Sequence, residues 1–348
     1  MRILLRSTAS LISAGVLLMT LLAYLCPWVN PISFRWLTFF GTAFPWLLWA
    51  NVLLTLLWIW RRKRLFIYHL GVIILGWQYV SSFIGFNLNA EKTPEKAVIV
   101  ASHNLGGLFR GKKVTEESRA EMAANYARFL QENGDPDILC TQETSGAFYR
   151  LLADKMGYAH NFNLKKGTVI LSRFPIEGGG EIPFGKTANS TLWVDMRVRG
   201  KLLRIYNVHL QSNKVTNDTE KVIEAGELNE ERTWEEIGRV LNKVGRATRV
   251  RAEQAQHLRS HLEQSPHPVL VCGDFNDTPN SYVYHLVSEG LNDPFRLRGR
   301  GFATTFSGVL PMLRIDYLLC EKTFKIHDFR TVHGNFSDHY PVVVALTL

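Results

Sequence analysis

Two short strings near the end of the chain carry the residue types that cleave phosphoester bonds. Residues 273–276 read GDFN and residues 337–339 read SDH, and the apolar run VLVC directly precedes the first string. We interpret both as strand ends that present acidic, amide and imidazole groups at one rim of a sheet. Carboxylates that hold a divalent cation beside an imidazole could polarise a P–O bond and activate water.

Other polar side chains also stand at the ends of predicted strands. The full set of candidates is Asn104, Glu143, His209, Asp274, Asn276, Asp316, Asp338 and His339. Each alone has a structural explanation, because an Asp or Asn after a strand commonly bonds its own backbone in a turn. Their number favours one shared site instead. Carboxylates and amides are hard oxygen ligands, which predicts Mg²⁺ or Mn²⁺ rather than zinc.

The elements that must position these residues begin after residue 92, where short apolar runs alternate with Gly, Pro, Asn and Asp. Predicted strands cover residues 97–102, 138–142, 168–172, 192–197, 203–209, 269–272, 315–320 and 342–346. Predicted helices cover residues 115–132, 147–156, about 229–263 and 281–288. This alternation predicts an α/β fold, a four-layer sandwich in which two mixed sheets pack face to face between outer helices.

Residues 1–90 differ in composition from the rest of the chain. They hold seven basic side chains and no acidic one, which leaves only +2 of the net charge of +9 for residues 91–348. Three uncharged stretches, 7–34, 36–60 and 65–90, are each long enough to cross a bilayer core, which takes about 20 helical residues. We therefore predict transmembrane helices at about 8–26, 36–60 and 65–87, with Pro45 kinking the second, and a catalytic domain in residues 91–348.

The cations indicate an orientation, because Lys and Arg in short loops stay in the cytoplasm. Arg2, Arg6 and the RRKR cluster at residues 61–64 place the N-terminus and the second loop inside, whereas Arg35 is an exception. We expect a multi-pass protein of a bacterial inner membrane with a periplasmic catalytic domain. A cleaved signal peptide is the alternative for the first stretch, but the residues before Cys26 are a poor cleavage site and two more spans follow.

Cysteine usage fits buried structural roles. Cys140, Cys272 and Cys320 fall inside apolar, strand-like runs, where a thiol behaves as a small hydrophobic group. The far side of an inner membrane is oxidising, so a bridge between Cys140 and Cys272 stays open at this point.

The order and spacing of several strings resemble the endonuclease/exonuclease/phosphatase superfamily over residues 97–348. The strings are SHNLGGL at 102–108, DILCTQET at 137–144, GTVILSRFPI at 167–176, NVHL at 207–210, GDFNDTP at 273–279, RIDYLL at 314–319 and SDHYPV at 337–342. Members of the superfamily include abasic-site endonucleases, pancreatic-type deoxyribonucleases, neutral sphingomyelinases and inositol-polyphosphate 5-phosphatases. The resemblance implies a metal-dependent phosphoric ester hydrolase.

The resemblance also implies a metal site. Glu143 would be the main ligand to Mg²⁺ or Mn²⁺, and Asn104 and Asp338 would complete its surroundings. Arg173 is open between a structural ion pair and a substrate contact.

Five further residues receive catalytic roles from the resemblance. Asp274 would orient or deprotonate the attacking water, and Asn276 would hold the phosphate. His339, aligned by Asp316, would stabilise the charge that develops on the phosphoryl group, and His209 would face the leaving group. A carboxylate beside one imidazole nitrogen fixes the tautomer and favours the charged ring.

Departures from the family bear on the substrate. Abasic-site endonucleases carry an acidic residue where this chain has Gly106, and an aromatic cluster where residues 304–313 read TTFSGVLPML. These departures predict simpler metal binding and put a DNA-reading surface in doubt. The near-neutral charge of residues 91–348 also disfavours nucleic acid, because phosphate-backbone binding draws on many Lys and Arg side chains.

Three functions therefore stay open. The first is a membrane-anchored phosphoesterase with the lipid bilayer as partner, acting outside the cytoplasm on a phospholipid, a sphingolipid or another phosphorylated small molecule. The second is a membrane-bound nuclease acting on extracytoplasmic nucleic acid, and the third is a non-catalytic binding module. The mixed-charge segment 213–245 is either a solvated helix or a functional element, a lid or a membrane-facing recognition element.

Overall fold

The computed structural model of the protein describes residues 2–87, 92–109, 114–164, 166–185, 187, 189–213, 231–308 and 310–348. The helices are α1 Arg2–Leu25, α2 Thr38–Thr42, α3 Phe44–Trp60, α4 Phe66–Leu75, α5 Trp77–Phe83, α6 Glu116–Glu132, α7 Gly146–Met156, α8 Glu231–Glu263, α9 Tyr282–Ser288 and α10 Pro294–Arg298. The strands are β1 Ile84–Phe86, β2 Val98–Asn104, β3 Ile138–Gln142, β4 His160–Asn163, β5 Val169–Ser172, β6 Ile176–Ile182, β7 Thr191–Val198, β8 Lys201–His209, β9 Val269–Asp274, β10 Leu291–Asn292, β11 Arg300–Phe302, β12 Asp316–Glu321, β13 Lys325–Thr331 and β14 Val342–Thr347.

Two six-stranded mixed sheets form the centre of the segment that the sequence analysis predicts to be the catalytic domain, and we keep that name for it below. The first has the order β13-β14-β2-β3-β5-β4 and the second the order β10-β12-β9-β8-β7-β6. Each sheet contains one parallel pair at its middle, β2 with β3 and β8 with β9. The sequence analysis did not predict β4, β6 and β13, which are edge strands with polar residues or, in β6, a run of three glycines.

The sheets pack face to face through alternate apolar side chains. Val100 and Ile170 of the first sheet meet Val194, Ile205 and Leu270 of the second in one buried cluster. Helices α6 and α7 cover the outer face of the first sheet, and α8 and α9 cover the outer face of the second. This arrangement confirms the predicted four-layer sandwich.

Buried amides fasten the two sheets together near one edge. The Asn207 Nδ2 on β8 donates to the Thr141 carbonyl at 2.9 Å and to the Val169 carbonyl at 2.8 Å, both in the first sheet. The Gln142 Nε2 donates back to the Asn207 Oδ1 at 2.7 Å. These bonds satisfy buried backbone carbonyl groups and cross from one sheet to the other. They therefore fix the distance between the two sheets at this edge.

Residues 2–86, the N-terminal unit, form helices α1 to α5 and strand β1. The segment Thr8–Trp28 is long and apolar enough to cross a membrane. Two further pairs of consecutive helices are long enough only if each bent pair counts as one span. The bend is 54° between Arg35–Thr42 and Phe44–Trp60, and 71° between Phe66–Leu75 and Trp77–Phe83. The bend comes just before Pro45, which lies in the first turn of α3. Three complete spans remain a prediction.

The N-terminal unit packs directly on the catalytic domain. The Asn280 Nδ2 donates to the Ala23 carbonyl at 3.1 Å, and the Arg314 Nη1 donates to the Ser82 carbonyl at 3.2 Å. Strand β1 pairs antiparallel with β11 of the catalytic domain. The predicted boundary at residues 90 and 91 and most of segment 213–245 lie outside the described residues, whereas residues 231–245 belong to α8.

Two open points of the sequence analysis are resolved in the described chain. Cys26, Cys140, Cys272 and Cys320 are all buried free thiols, so Cys140 and Cys272 are not bridged. Arg173 is a structural ion-pair residue, because its Nη2 lies 2.6 Å from Asp135 Oδ1.

Candidate active site

The polar strand ends meet at a single edge of the sandwich. Strands β2, β3, β8 and β9 all run toward this edge, where Asn104, His209 and Asp274 are their last residues and Glu143 follows β3. Strands β12 and β14 run the opposite way, so Asp316 opens β12 here and His339 lies just before β14. All eight predicted site residues lie at this edge, either as strand ends or in the loops that adjoin them.

Two carboxylates occupy the buried centre of the site. Asp274 and Asp316 are each 1% exposed. Burial is the main cause that raises the pKa of Asp274 to about 6, and the negative charge of Asp316 adds to it. His339 and His209 act in the opposite direction and lower this pKa. Because the shifted value lies below 7, Asp274 is ionised at neutral pH yet remains a better base than an exposed carboxylate.

His339 is held as a cation by Asp316. Its Nδ1 lies 2.9 Å from Asp316 Oδ2, and its ring meets the edge of Phe306 at 4.9 Å between centroids. Burial alone would lower the pKa of His339, but Asp316 above all, helped by Asp274 and Asp338, raises it to about 10. The Nδ1–H is directed to Asp316, which leaves the Nε2–H for a ligand in the cavity.

Asp274 is fixed by three amide donors. Its Oδ1 accepts from the Asn276 backbone N–H at 2.7 Å, and its Oδ2 accepts from Asn276 Nδ2 at 2.9 Å and from Asn104 Nδ2 at 3.0 Å. Such bonds hold the carboxylate in one orientation without neutralising it. Asn276 thus positions Asp274 in this structure, in addition to the phosphate contact that the resemblance implies.

Glu143 stands beside Asn104 at the mouth of the site. The same Asn104 Nδ2 reaches Glu143 Oε1 at 3.2 Å, and Asn104 Oδ1 accepts from the Gly106 N–H at 2.8 Å. A Cβ on Gly106 would lie 2.7 Å from Glu143 Oε2, so a larger residue at this position would displace the carboxylate. Gly106 therefore keeps the space beside Glu143 open.

His209 and Asp338 complete the predicted set. The His209 Nε2 lies 3.6 Å from Glu143 Oε1, and the His209 side chain is buried. Asp338 lines the same cavity, its Oδ1 accepting from Ser337 Oγ at 3.3 Å and its carbonyl from the Ser307 N–H at 2.8 Å. Six of the eight predicted residues thus line one cavity, and the other two, Asn104 and Asp316, lie buried behind it and hydrogen-bond to lining residues.

The donor set fits a hard divalent cation. Among the described residues, the ligand atoms of Asp274, Asp316 and His339 lie within 4.8 Å of one another, and Glu143 and Asp338 are not part of that group. The His339–Asp316 hydrogen bond occupies the Nδ1, so we interpret this group as a charge network rather than a cation cage. At its rim Glu143 offers exposed carboxylate oxygens and Asn104 a buried amide oxygen, and a nearby cation would offset the crowded negative charge.

Two site residues have left-handed backbone conformations, Glu143 with φ 54° and Asn276 with φ 54°. Gly273, with φ 135°, approaches β8 so closely that a Cβ would lie 2.0 Å from the Val208 carbonyl oxygen. Non-glycine residues adopt such conformations at a cost, and they concentrate at functional sites.

Several supporting residues were not predicted from the sequence. His103 is buried beneath the site, with its Nδ1 2.6 Å from the Tyr126 hydroxyl and its Nε2 3.0 Å from the His339 carbonyl oxygen. Thr305 Oγ1 accepts from the Asp316 N–H at 3.0 Å. His103 stands directly before Asn104 in the SHN string, so its position next to a predicted site residue could have identified it. The sequence around Thr305 contains no such indication, because its partner Asp316 is not adjacent in sequence.

The site opens into a cavity of about 680 Å³. Glu143, His209, Asp274, Asn276 and His339 line one part of it. The rest is lined by side chains from α2, α8 and the loop before β12. The N-terminal unit thus contributes to the cavity wall, which the sequence analysis did not predict.

Comparison with known proteins follows the same division of the chain. A family model described as the Endonuclease/Exonuclease/phosphatase family matches residues 101–339. A second model, described as a domain of unknown function, matches residues 6–83. A search of curated proteins found no match.

Similar solved structures share the fold at low sequence identity. An endonuclease/exonuclease/phosphatase family protein from Bacteroides thetaiotaomicron is 17% identical with a TM-score of 0.51, over 72% of this chain and 97% of that chain. One from Bacteroides vulgatus is 14% identical with a TM-score of 0.51, over 72% and 99%. A humanized D. rerio TDP2 is 16% identical with a TM-score of 0.53, over 73% and 100%.

Proposed function

This chain belongs to the endonuclease/exonuclease/phosphatase family, and from that premise we propose that it is a membrane-anchored, divalent-metal-dependent phosphoesterase. Its substrate is a lipid or another phosphorylated small molecule outside the cytoplasm. The observation that carries the proposal is the buried Asp274–Asp316–His339 network, joined through Asn104 to Glu143.

The geometry divides the chemical work between two carboxylates. Asp274, ionised and fixed by Asn104 and Asn276, orients a water molecule and accepts its proton as it attacks phosphorus. Asp316 keeps His339 protonated, so the His339 Nε2–H donates to a phosphoryl oxygen as negative charge develops there. His209 lies beside Glu143, where its imidazole faces the leaving oxygen.

Glu143 and Asn104 would hold the divalent cation, with Asp338 on the same cavity wall. When bound, Mg²⁺ or Mn²⁺ supplies positive charge to the phosphoryl oxygens and favours ionisation of water. Gly106 leaves room for this at the Glu143 carboxylate.

The N-terminal unit supports anchoring in a membrane. Thr8–Trp28 has a mean hydropathy of 2.1. Helix α3 starts against the catalytic domain, where Gly41 and Asn280 approach each other, and leads about 25 Å away to the cationic residues 61–64. Arg35, the exception to the charge rule, contacts α8 of the catalytic domain through Asn242. A cationic cluster at the end of α3 away from these contacts supports the proposal of a catalytic domain outside the cytoplasm.

A nuclease is less well supported. Apart from the His339 imidazolium, the described cavity-lining residues that carry positive charge are Lys166 and Arg251. Lys166 is paired with Glu181 at 2.6 Å, and Arg251 with Asp277 at 3.3 Å. A polyanionic strand needs several unpaired cations.

The test is hydrolysis by the purified full chain in detergent, with p-nitrophenyl phosphate and bis(p-nitrophenyl) phosphate as monoester and diester probes. We expect turnover that requires Mg²⁺ or Mn²⁺ and falls by about 10²–10⁴-fold in Asp274→Asn, as for loss of a general base. Asp154→Asn, an exposed change on α7, is the matched control. Metal-independent turnover, or full activity in Asp274→Asn, would contradict the proposal.

A further inference from the structure

The cavity has two chemically different ends. The catalytic end carries carboxylates and imidazoles, as described above. The opposite part, which we call the apolar wall, consists of Phe39 of α2, Val240, Leu241 and Val244 of α8, and Leu310 and Leu313 of the loop before β12. Three elements distant in sequence thus converge to build one apolar surface beside the site.

Large apolar side chains on this wall remain accessible. Leu241 is 37% exposed and Leu310 is 46% exposed. Isolated exposed leucines are common, but a contiguous apolar patch in a cavity indicates a ligand surface. The aliphatic character of the wall suits a hydrocarbon chain, because it offers surface and few hydrogen-bonding partners.

The wall is continuous with the N-terminal unit. Phe39 belongs to α2, and the neighbouring Gly41 carbonyl accepts from Thr278 Oγ1 at 3.5 Å. Most exposed large apolar side chains in the described chain lie in residues 11–86. A hydrocarbon chain leaving a bilayer around those helices would meet the wall before it met the catalytic residues.

Charge at the cavity points the same way. Apart from His339 at the catalytic end, its described cations Lys166 and Arg251 are paired with Glu181 and Asp277, so a substrate carrying several negative charges finds little compensation beyond that end. A molecule with one phosphoester group and an apolar remainder matches both ends. The volume of about 680 Å³ lies within the range of small-molecule pockets, about 300–1,000 Å³.

We propose that the substrate is an amphiphilic phosphoester, with its phosphate at Asp274 and His339 and its hydrocarbon chain along the apolar wall. This inference rests on the proposed function and makes the N-terminal unit part of the binding surface. Leu241 and Leu310 are then specificity-determining residues.

The experiment compares chain lengths at a constant head group with the full chain in detergent. The probes are p-nitrophenyl ethyl and octyl phosphate for diester cleavage, and ethyl and octyl phosphate, followed by phosphate release, for monoester cleavage. All are used below their aggregation concentrations. Each buried methylene is worth about fourfold in affinity, so with half of the six additional methylenes buried the octyl ester gains about 50-fold in kcat/KM.

Variants locate the source of that ratio. Leu241→Asp and Leu310→Asp each place a charge on the wall at an exposed position, and we expect each to lower the octyl-to-ethyl ratio at least about fivefold, slightly more than the value of one buried methylene. Leu297→Asp, an equally exposed leucine outside the cavity lining, should leave the ratio unchanged.

The outcomes separate the two proposals. Absence of Asp274-dependent hydrolysis of all four esters would overturn the proposed function itself. Asp274-dependent hydrolysis with a ratio near one would leave that function intact and overturn the amphiphile inference. A high ratio that survives both wall variants would also overturn it, because the preference would then arise elsewhere.

Discussion

Asp274 and Asp316 face each other directly in the antiparallel pairing of β9 with β12. Two buried carboxylates at adjacent backbone positions repel each other, and the protein resolves this by giving them different partners. Asp316 bonds the His339 imidazole, while Asp274 accepts from the amides of Asn104 and Asn276. Because of these different partners, Asp316 compensates the charge of His339, whereas Asp274 remains available as a base.

Replacing Asp316 should remove the cationic state of His339. In Asp316→Asn we expect kcat to fall by about 10²–10³-fold, because a preorganised charged donor to the phosphoryl oxygen is lost. The replacement keeps the shape of the side chain and its backbone bond to Thr305. Steady-state kinetics on p-nitrophenyl esters measures the effect, and unchanged kcat would refute this role for Asp316.

The same pair predicts a pH dependence of stability in metal-free protein. The pKa of His339 is raised in the folded state to about 10, so the pair stabilises the fold fully below about pH 6.5 and loses this contribution as the pH rises through 10. The difference in Tm between wild type and Asp316→Asn, measured with EDTA, should therefore shrink between pH 6 and pH 10.5. A constant difference would show that His339 is not charged.

Gly106→Ala tests the space beside Glu143. The added Cβ would lie 2.7 Å from Glu143 Oε2 and 3.1 Å from Asn104 Oδ1, so both candidate ligands must shift. We expect the Mg²⁺ concentration for half-maximal activity to rise by about 10-fold or more, as for outer-shell changes at metal sites, with little loss of Tm. Gly178→Ala, which adds a methyl in open space, is the control. Equal Mg²⁺ dependence in both variants would contradict the assignment.

His103 predicts acid sensitivity of the fold. Burial lowers the pKa of His103 to about 3, so the stability that depends on its neutral form is present above about pH 6.5 and declines as the pH falls toward 3. His103→Gln cannot titrate, and its Tm should fall less steeply between pH 7 and pH 4.5 than that of wild type. His333→Gln, at an exposed position, should keep the wild-type slope.

The buried Arg314–Asp293 pair should contribute far more to stability than an exposed pair. Its Nη2–Oδ1 distance is 2.7 Å, and the guanidinium also lies 4.6 Å from the Phe295 ring centroid. Arg314→Met leaves the Asp293 charge buried, at an expected cost of about 3–5 kcal/mol in unfolding free energy. The exposed pair Arg330–Asp328 gives the control, with Arg330→Met expected to cost less than about 1 kcal/mol. Similar losses of Tm would contradict this account.

Sequence reasoning located the site because its residues coincide with strand ends. The strings around Asn104, Glu143 and Asp274 follow apolar strands that run in one direction, so convergence at one edge was expected from topology alone. The family was predicted from the motif strings and the four-layer fold from the alternation of strands and helices, and both are confirmed. The metal ligands and catalytic roles assigned to these residues stay predictions.

Other features depend on contacts between residues far apart in the chain. The edge strands β4, β6 and β13 are polar on their outer sides, so periodicity did not identify them. The contribution of Phe39 to the cavity depends on how α2 packs against α8, which no local pattern encodes. The breaks near Ala43 and Gly76 divide apolar stretches that composition alone treats as continuous.

Strand β1 continues the N-terminal helices into a two-stranded ribbon with β11, pairing Ile84 with Phe302 and Phe86 with Arg300. Trp49 of α3 also lies 6.2 Å from the Phe302 ring, so the ribbon is braced from its side. These contacts join the N-terminal helices to the two-sheet domain without a flexible tether. If the helices anchor the protein in a bilayer, as proposed, the site would be held at a fixed height and would reach only phosphates carried at that height above the membrane.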